Sequence, residues 1–161
     1  AVRGTQPTPR AAGEATGQRG WNGGGIDARY GTVPAADYVA HQNRETVILC
    51  QIETEAAVAE ARAIAAVPGV DGLFFGPGDF STSLGLLGQI RHERVRAAMQ
   101  AVGKVAAEAG KWWGTLGVGQ EMFADVKAMG ARLICPGGDL KVMHLGIREL
   151  AKTFDEPAPK P

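Results

Sequence analysis

The sequence predicts an α/β fold that forms half of a (β/α)₈ barrel, and three observations carry this prediction. Between residues 47 and 154, short apolar runs alternate four times with segments of strong helix formers, which is typical of βαβ units on a parallel sheet. Residues 1–33 are rich in glycine and lack apolar periodicity, and the first residue is Ala rather than Met. A closed barrel needs eight units in about 250 residues, so four units make half of one. A small open doubly wound sheet would also fit, and periodicity does not decide between the two.

The first two units have the clearest boundaries. VILCQIE (47–53) is a short apolar run with β-branched residues, which predicts a buried strand. TEAAVAEARAIAAV (54–67) is made of helix formers and ends before Pro68-Gly69, a stop signal. DGLFFG (71–76) predicts a second buried strand, and PGDFSTSLG (77–85) is expected to be a loop.

The last two units repeat the order of the first two. Apolar residues at helical spacing predict a long helix around residues 91–109. Gly130 ends the shorter helix predicted over residues 121–129. In chain order the predicted elements are a helix around 91–109, a strand over 112–118, a helix over 121–129, a strand over 131–136 and a helix over 140–154.

The segments at the two ends differ from these units. Residues 1–33 are expected to be loop or the remnant of a preceding barrel unit. Pro34 opens a short helical segment over 34–43, since proline is tolerated in a first helical turn. The half-barrel therefore spans 34–154, and the tail 155–161 is expected to be disordered.

Composition excludes several classes of protein. Lys plus Arg and Asp plus Glu both total 17, whereas a nucleic-acid binder usually carries a basic excess. No apolar run reaches the roughly 20 residues that a membrane-spanning helix needs. Cys50 and Cys135 lie in apolar runs without C-x-x-C spacing, which indicates free thiols and a reducing, cytoplasmic location. We therefore expect neither a nucleic-acid nor a membrane partner.

Two carboxylates stand where the chemistry of either architecture would be found, at the carboxyl ends of the strands. Glu53 ends the first predicted strand, and Asp79 follows the second. Neighbouring strands lie about 4.8 Å apart, so these side chains can converge, and converging carboxylates repel each other unless a cation lies between them. Mg²⁺ and Mn²⁺ prefer such oxygen ligands. The alternative, which spacing alone favours, is that both residues are N-caps of the following helices.

Taken together, these motifs resemble the HpcH/HpaI aldolase family, which has citrate-lyase-type and malyl-CoA-lyase-type relatives. The resemblance covers about residues 10–150 and implies the C-terminal half of a (β/α)₈ TIM barrel. The coupling of Q-I-E-T with G-x-D-G-x-x-x-G-P-x-D-x-S is its specific part. The matching segments are VILCQIET (47–54), GVDGLFFGPGDFSTSLG (69–85), EAGKWWGTLGV (108–118) and MGARLICPGGDLKVM (129–143).

The resemblance assigns roles to individual residues. Glu53 and Asp79 match the family's ligands of a divalent metal, Mg²⁺ or Mn²⁺, with Co²⁺ as a further candidate. Gln51 matches a side chain that points into the substrate site. The backbone N–H groups at Gly76, Gly78 and Asp79 match those that receive the carboxylate of the oxo acid.

The activity implied by the resemblance is that of a class II aldolase. Such a lyase reversibly cleaves a 4-hydroxy-2-oxo acid to pyruvate, or a similar 2-oxo acid, and an aldehyde, and it needs no lysine Schiff base. A homo-oligomer is also expected. The alternatives are a lyase of the malyl- or citramalyl-CoA type and a non-catalytic, truncated half-barrel.

One departure from the family pattern limits the prediction. The family places a catalytic Arg and a His-containing acid–base pair on its early strands, and no residue of this chain matches them. The catalytic acid and base are therefore unassigned, and the chain alone is expected to be nearly inactive.

Overall fold

The computed structural model describes residues 22–154, and its centre is a parallel sheet of four strands. The strands pair in the order in which they occur along the chain. At the carboxyl edge, Ile52 is the register partner of Phe75, and Phe75 is the partner of Thr115. The strands are β1 (Leu49–Ile52), β2 (Gly72–Phe75), β3 (Trp112–Leu116) and β4 (Leu133–Cys135).

This strand order decides between the two architectures. A doubly wound sheet reverses its strand order at a switch point, whereas the order here runs in one direction. Right-handed crossovers that all advance in one direction place every connecting helix on the same face of the sheet. The opposite face leaves Gln51 exposed. The described chain is thus part of a barrel wall and not an open doubly wound sheet.

The helices follow the predicted units with two corrections. The segment 54–67 forms two short helices rather than one, because Glu60 adopts φ −90° and ψ 1° and breaks the helix. The expected loop over 77–85 is wrong, because Pro77–Ser83 is helical. The helices are α1 (Ala35–Glu45), α2 (Glu55–Ala59), α3 (Ala61–Ala65), α4 (Pro77–Ser83), α5 (Glu93–Glu108), α6 (Gly119–Ala128) and α7 (Asp139–Lys152).

The glycine-rich stretch contains more structure than expected in its described part. Ile26–Gly31 forms a turn of 3₁₀ character. The hydroxyl of Tyr38 on α1 donates to the Asp27 carboxylate at 2.5 Å, and this hydrogen bond lowers the pKa of Asp27. The expectations for residues 1–21 and 155–161 lie outside the described residues.

The core lies between the sheet and its helices and fixes the strand ends. Ile52, Phe75 and Trp113 are buried against α3, α5 and α6. Trp113 packs closely on Gly103 of α5, where an added Cβ would lie 2.9 Å from Trp113 Cε2. Burying each such side chain contributes about 1.5–3 kcal/mol, which holds the carboxyl edge in place. Within residues 22–154, no helix has both the length and the apolar character needed to cross a bilayer.

Candidate active site

The register of β1 and β2 brings the predicted site residues together. Because Ile52 pairs with Phe75, the next residues, Glu53 and Gly76, stand side by side at the carboxyl edge. Gln51 and Glu53 are two residues apart, so both side chains point to the same face of the strand. The side-chain amide of Gln51 donates a hydrogen bond to the Glu53 carboxylate.

The absence of a side chain at Gly76 makes room for Glu53. A Cβ placed on Gly76 would lie 2.6 Å from Glu53 Oε1 and 2.7 Å from Glu53 Cγ. Real Cβ atoms do not approach other atoms so closely, so the Glu53 side chain lies directly over the backbone of Gly76. Gly78 has no such neighbour, and a Cβ there would meet no heavy atom within 4 Å.

Glu53 and Asp79 are electrostatically coupled. Partial burial raises the pKa of Glu53, and the negative charge of Asp79 and a side-chain hydrogen bond with Asp79 raise it further. The amide of Gln51 acts in the opposite direction, because it donates to the charged form. The structure therefore brings the two carboxylates of adjacent strand ends together, and the negative charge of Asp79 disfavours the charged form of Glu53.

Neither carboxylate is a helix cap. The N-cap of α2 is Thr54, whose hydroxyl accepts a hydrogen bond from the Ala57 amide at 3.1 Å. The N-cap of α4 is Gly76, which places Asp79 inside the first turn, and α4 has no side-chain capping hydrogen bond. The capping alternative is thus wrong for both residues.

The first turn of α4 provides backbone N–H groups, but fewer than expected. The Gly76 amide donates to the Ile52 carbonyl at 3.0 Å, so it is not available to an anion, which corrects the expectation for that residue. Pro77 has no N–H group. The amides of Gly78 and Asp79 lie in the first turn of the helix, where N–H groups have no intrahelical partner.

Thr115 is a site-supporting residue that the sequence did not reveal. It is fully buried, and its hydroxyl donates to the carbonyl of Phe75 at 2.9 Å. This bond fixes the end of β2 immediately before Gly76. The only signal in the sequence was a β-branched polar residue in an otherwise apolar and glycine-containing strand.

The described residues contain a pair of carboxylates rather than a larger ligand cluster. Across residues 22–154, no group of three or more His, Cys, Asp or Glu side chains is arranged to hold a metal ion. The histidines lie away from the pair: His41 is on α1, His92 accepts a hydrogen bond from the Arg94 amide at the start of α5, and His144 is exposed on α7. A metal at Glu53 and Asp79 would need water or substrate oxygens to complete its coordination.

Comparison with known proteins places this geometry in a family. Residues 7–144 match the HpcH/HpaI aldolase/citrate lyase family. The chain belongs to the HpcH/HpaI aldolase/citrate lyase family. This assignment confirms the resemblance carried by the two coupled motifs.

Two named relatives are similar to most of this chain. The chain is 40% identical over 125 residues to a 5-keto-4-deoxy-D-glucarate aldolase of Shigella dysenteriae and 38% identical over 125 residues to one of Klebsiella pneumoniae. Each alignment covers 78% of this chain and 48% of the relative. The chain therefore spans about half the length of the curated relatives it matches.

Solved structures give the same result for the fold. A HpcH/HpaI aldolase/citrate lyase family protein from Burkholderia cenocepacia superposes with a TM-score of 0.76 and 33% identity, over 95% of this chain and 58% of that one. A HpcH/HpaI aldolase from Desulfitobacterium hafniense gives a TM-score of 0.76 and 30% identity, over 99% and 60% of the two chains. The predicted half-barrel architecture of this HpcH/HpaI family member is thereby confirmed.

Substituting Gly76→Ala is expected to disturb the carboxylate pair by steric overlap. The backbone at this residue (φ −96°, ψ 88°) is accessible to alanine, so no backbone strain is added. The new Cβ would displace the Glu53 side chain from its present position, at a cost of about 1–3 kcal/mol. We expect a lower melting temperature and weaker Mn²⁺ binding in a titration followed by electron paramagnetic resonance.

Gly78→Ala is the matched control for that substitution. Its Cβ would meet open space, so Mn²⁺ affinity and melting temperature are expected to stay close to the wild-type values. Equal effects of the two substitutions would contradict the close approach of Glu53 and Gly76.

Proposed function

We propose that this chain carries the metal-binding and oxo-acid-binding half of a class II aldolase site. In this proposal Glu53 and Asp79 hold a divalent cation, Mg²⁺ or Mn²⁺ with Co²⁺ as a further candidate. The observation that supports it most is the convergence of the two carboxylates, with the charge of Asp79 raising the pKa of Glu53. A cation between them would offset the repulsion and favour the charged form of Glu53.

The surrounding residues fit this assignment. The Gln51 amide donates to Glu53 and so orients its carboxylate toward Asp79. The amides of Gly78 and Asp79, at the start of α4, are suited to the carboxylate of a bound 2-oxo acid. The metal, when bound, would supply Lewis-acid stabilisation of the negative charge that develops on the oxo oxygen.

The proposed reaction is the reversible cleavage of a 4-hydroxy-2-oxo acid to pyruvate, or a similar 2-oxo acid, and an aldehyde. The relatives support an aldolase rather than a CoA-dependent lyase, because they are named 5-keto-4-deoxy-D-glucarate aldolases. The proposed partners are accordingly small molecules and further copies of the chain. The cytoplasmic location stays a prediction from the free cysteines.

The proposal is tested by measuring whether bound metal strengthens the binding of a 2-oxo acid to the chain. Pyruvate or its planar analogue oxalate is expected to bind the purified chain in the presence of Mn²⁺ at least about tenfold more tightly than in its absence, because the metal and the α4 amides act on one ligand. Isothermal titration with and without Mn²⁺ measures this ratio. Oxalate binding that is unchanged by Mn²⁺ would refute the proposed shared site.

A further inference from the structure

A cavity lies between the helices α5 and α6, on the helix-covered side of the sheet. Helix α5 packs on α3, β2 and β3, and α6 packs on β4. Between the two helices the structure leaves a space of about 140 Å³. Neither Glu53 nor Asp79 lines this space, so the cavity is separate from the carboxylate pair.

The floor of the cavity is apolar and rich in methionine. It is lined by Met99, Met122 and Met129, together with Ile90 and Val126. The protein has four methionines, so three of them meet here. An apolar cavity of about 150 Å³ offers water few hydrogen-bond partners and accepts a group as large as a six-membered ring. Methionine side chains are flexible and adapt to the shape of such a group.

The two sides of the cavity mouth carry opposite charges. The α5 side has Arg91 and Arg96, and the α6 side has Glu121 and Asp125. Arg91 Nη1 lies 2.6 Å from Glu121 Oε2, and Arg96 Nε lies 3.5 Å from Asp125 Oδ2. The two acids are four residues apart on α6 and therefore lie on one face of that helix. The mouth thus places a cationic row opposite an anionic row, above an apolar floor.

We propose that this cavity binds an α-amino acid with an apolar side chain. The ligand's carboxylate would contact Arg96, its ammonium group would contact Asp125, and its side chain would enter the methionine-lined floor. A neutral apolar molecule would leave both charged rows unused. An apolar monocarboxylate would satisfy Arg96 but would place its negative charge beside Asp125. A zwitterion on an apolar group matches all three parts of the cavity.

The ion pair that such a ligand would open is the weaker of the two. Arg96 and Asp125 are separated by the longer distance, and both side chains are 51% exposed. Exposed ion pairs contribute little to stability. The ligand would exchange one of them for two charge-assisted contacts and would also bury its apolar side chain. Because the cavity shares no residue with the carboxylate pair, this inference does not depend on the proposed function.

Methionine methyl NMR on the full chain tests the site directly. L-Leucine or L-phenylalanine, titrated into protein labelled with ¹³C at the methionine methyl groups, should shift the resonances of Met99, Met122 and Met129. The resonance of Met143, which is 60% exposed on α7, should stay unchanged and is identified by Met143→Leu. Glycine lacks the apolar side chain and 4-methylpentanoate lacks the ammonium group, so each should bind at least about tenfold more weakly than leucine.

Substitutions at the mouth test the charged contacts without disturbing the core. Arg96→Gln and Asp125→Asn should each weaken leucine binding at least about tenfold. The matched control is Lys104→Gln, which removes an exposed α5 cation that lies 4.0 Å from Glu108, and it should leave the affinity unchanged.

Three results would overturn the proposal. The first is the absence of methionine shifts at millimolar leucine and phenylalanine, or a shift of Met143 alone. The second is binding of glycine or 4-methylpentanoate as tight as that of leucine, since the floor or the anionic row would then play no part. The third is an affinity that Arg96→Gln and Asp125→Asn both leave unchanged, because the amino acid would then bind elsewhere on the chain.

Discussion

The purified 161-residue chain is expected to cleave 4-hydroxy-2-oxo acids at least about 10²–10⁴-fold more slowly than a full-length relative, even with saturating Mn²⁺. That range is the typical contribution of a general acid–base group. The chain spans 48% of the named aldolases it matches. No residue of the chain matches the family's Arg and His-containing pair, so the proposed metal site would bind an oxo acid without the group that moves the proton.

The histidines of the described chain do not replace the missing pair. The ring of His92 is engaged at the start of α5, where it accepts a hydrogen bond from the Arg94 amide at 3.2 Å. His41 lies on α1, where Arg44 is its hydrogen-bond partner, and His144 is exposed on α7. None is at a strand end beside Glu53, so none is positioned to act on a substrate bound there.

A lactate-dehydrogenase-coupled assay for pyruvate measures this deficit. The full-length relative is the positive control. In a second assay, the separately expressed N-terminal half of that relative is added to the 161-residue chain. Turnover that returns when the two halves are mixed would show that the chain supplies a competent half-site. Rapid turnover by the chain alone would contradict the prediction and would show that one of its own residues replaces the missing acid–base pair.

The convergence of the site was predictable because it depends on a few strong signals. The apolar runs that end in Glu53 and Gly76 are each bounded by clear helix or stop signals, so their carboxyl ends are fixed within about a residue or two. Parallel strands that are consecutive in sequence pair side by side in a barrel wall, so adjacent strand ends meet. The register of β1 with β2, which the sequence did not specify, aligns Ile52 with Phe75.

Local hydrogen bonding explains what the sequence did not reveal. Spacing favoured caps at Glu53 and Asp79, but Thr54, one position later, is of a preferred capping residue type and is the N-cap of α2. Segment 77–85 looked like a loop because of its glycines and proline, although proline is well suited to a first helical turn. The Gly76 amide donates to the Ile52 carbonyl because the hydrogen-bond ladder between the strands continues one residue past β2. No residue type in the sequence predicts where that ladder ends.

The exposure of α7 could not be predicted from the sequence, for a different reason. Its amphipathic pattern predicts a helix that packs on something, and a βα unit packs its helix on its own strands by default. The pattern of Leu140, Met143 and Ile147 predicts an apolar face but does not specify the surface that this face contacts. The structure shows that these apolar side chains are exposed within the described chain.

Glu53→Gln is expected to weaken metal binding and at the same time to stabilise the metal-free protein. This combination distinguishes a metal-binding role of Glu53 from a structural one. The substitution should weaken Mn²⁺ binding by at least about 100-fold, because even partners outside the first coordination shell contribute 10–100-fold to metal affinity. It should also raise the melting temperature of the metal-free protein at neutral pH. The charged form of Glu53 is disfavoured by partial burial and by Asp79, and glutamine carries no charge.

The pH dependence of the second effect follows from the sign of the pKa shift. Folding raises the pKa of Glu53, so its ionisation opposes folding. The penalty is absent below the unfolded-state pKa, grows as the pH rises, and is complete above the folded-state pKa. The stability difference between Glu53→Gln and the wild type should therefore vanish in acid and reach its full size at neutral pH, whereas Mn²⁺ should protect the wild type alone.

Glu55→Gln is the matched control, because Glu55 is an exposed carboxylate two residues further along that pairs with Arg94 at 3.1 Å. An exposed ion pair contributes at most about 1 kcal/mol, so this variant should keep its Mn²⁺ affinity and show no gain in stability with rising pH. Thermal melts at several pH values and Mn²⁺ titrations by electron paramagnetic resonance measure both effects. If Glu53→Gln instead lowered the melting temperature at neutral pH and left Mn²⁺ affinity intact, Glu53 would be a structural residue, and the proposed metal site would be lost with it.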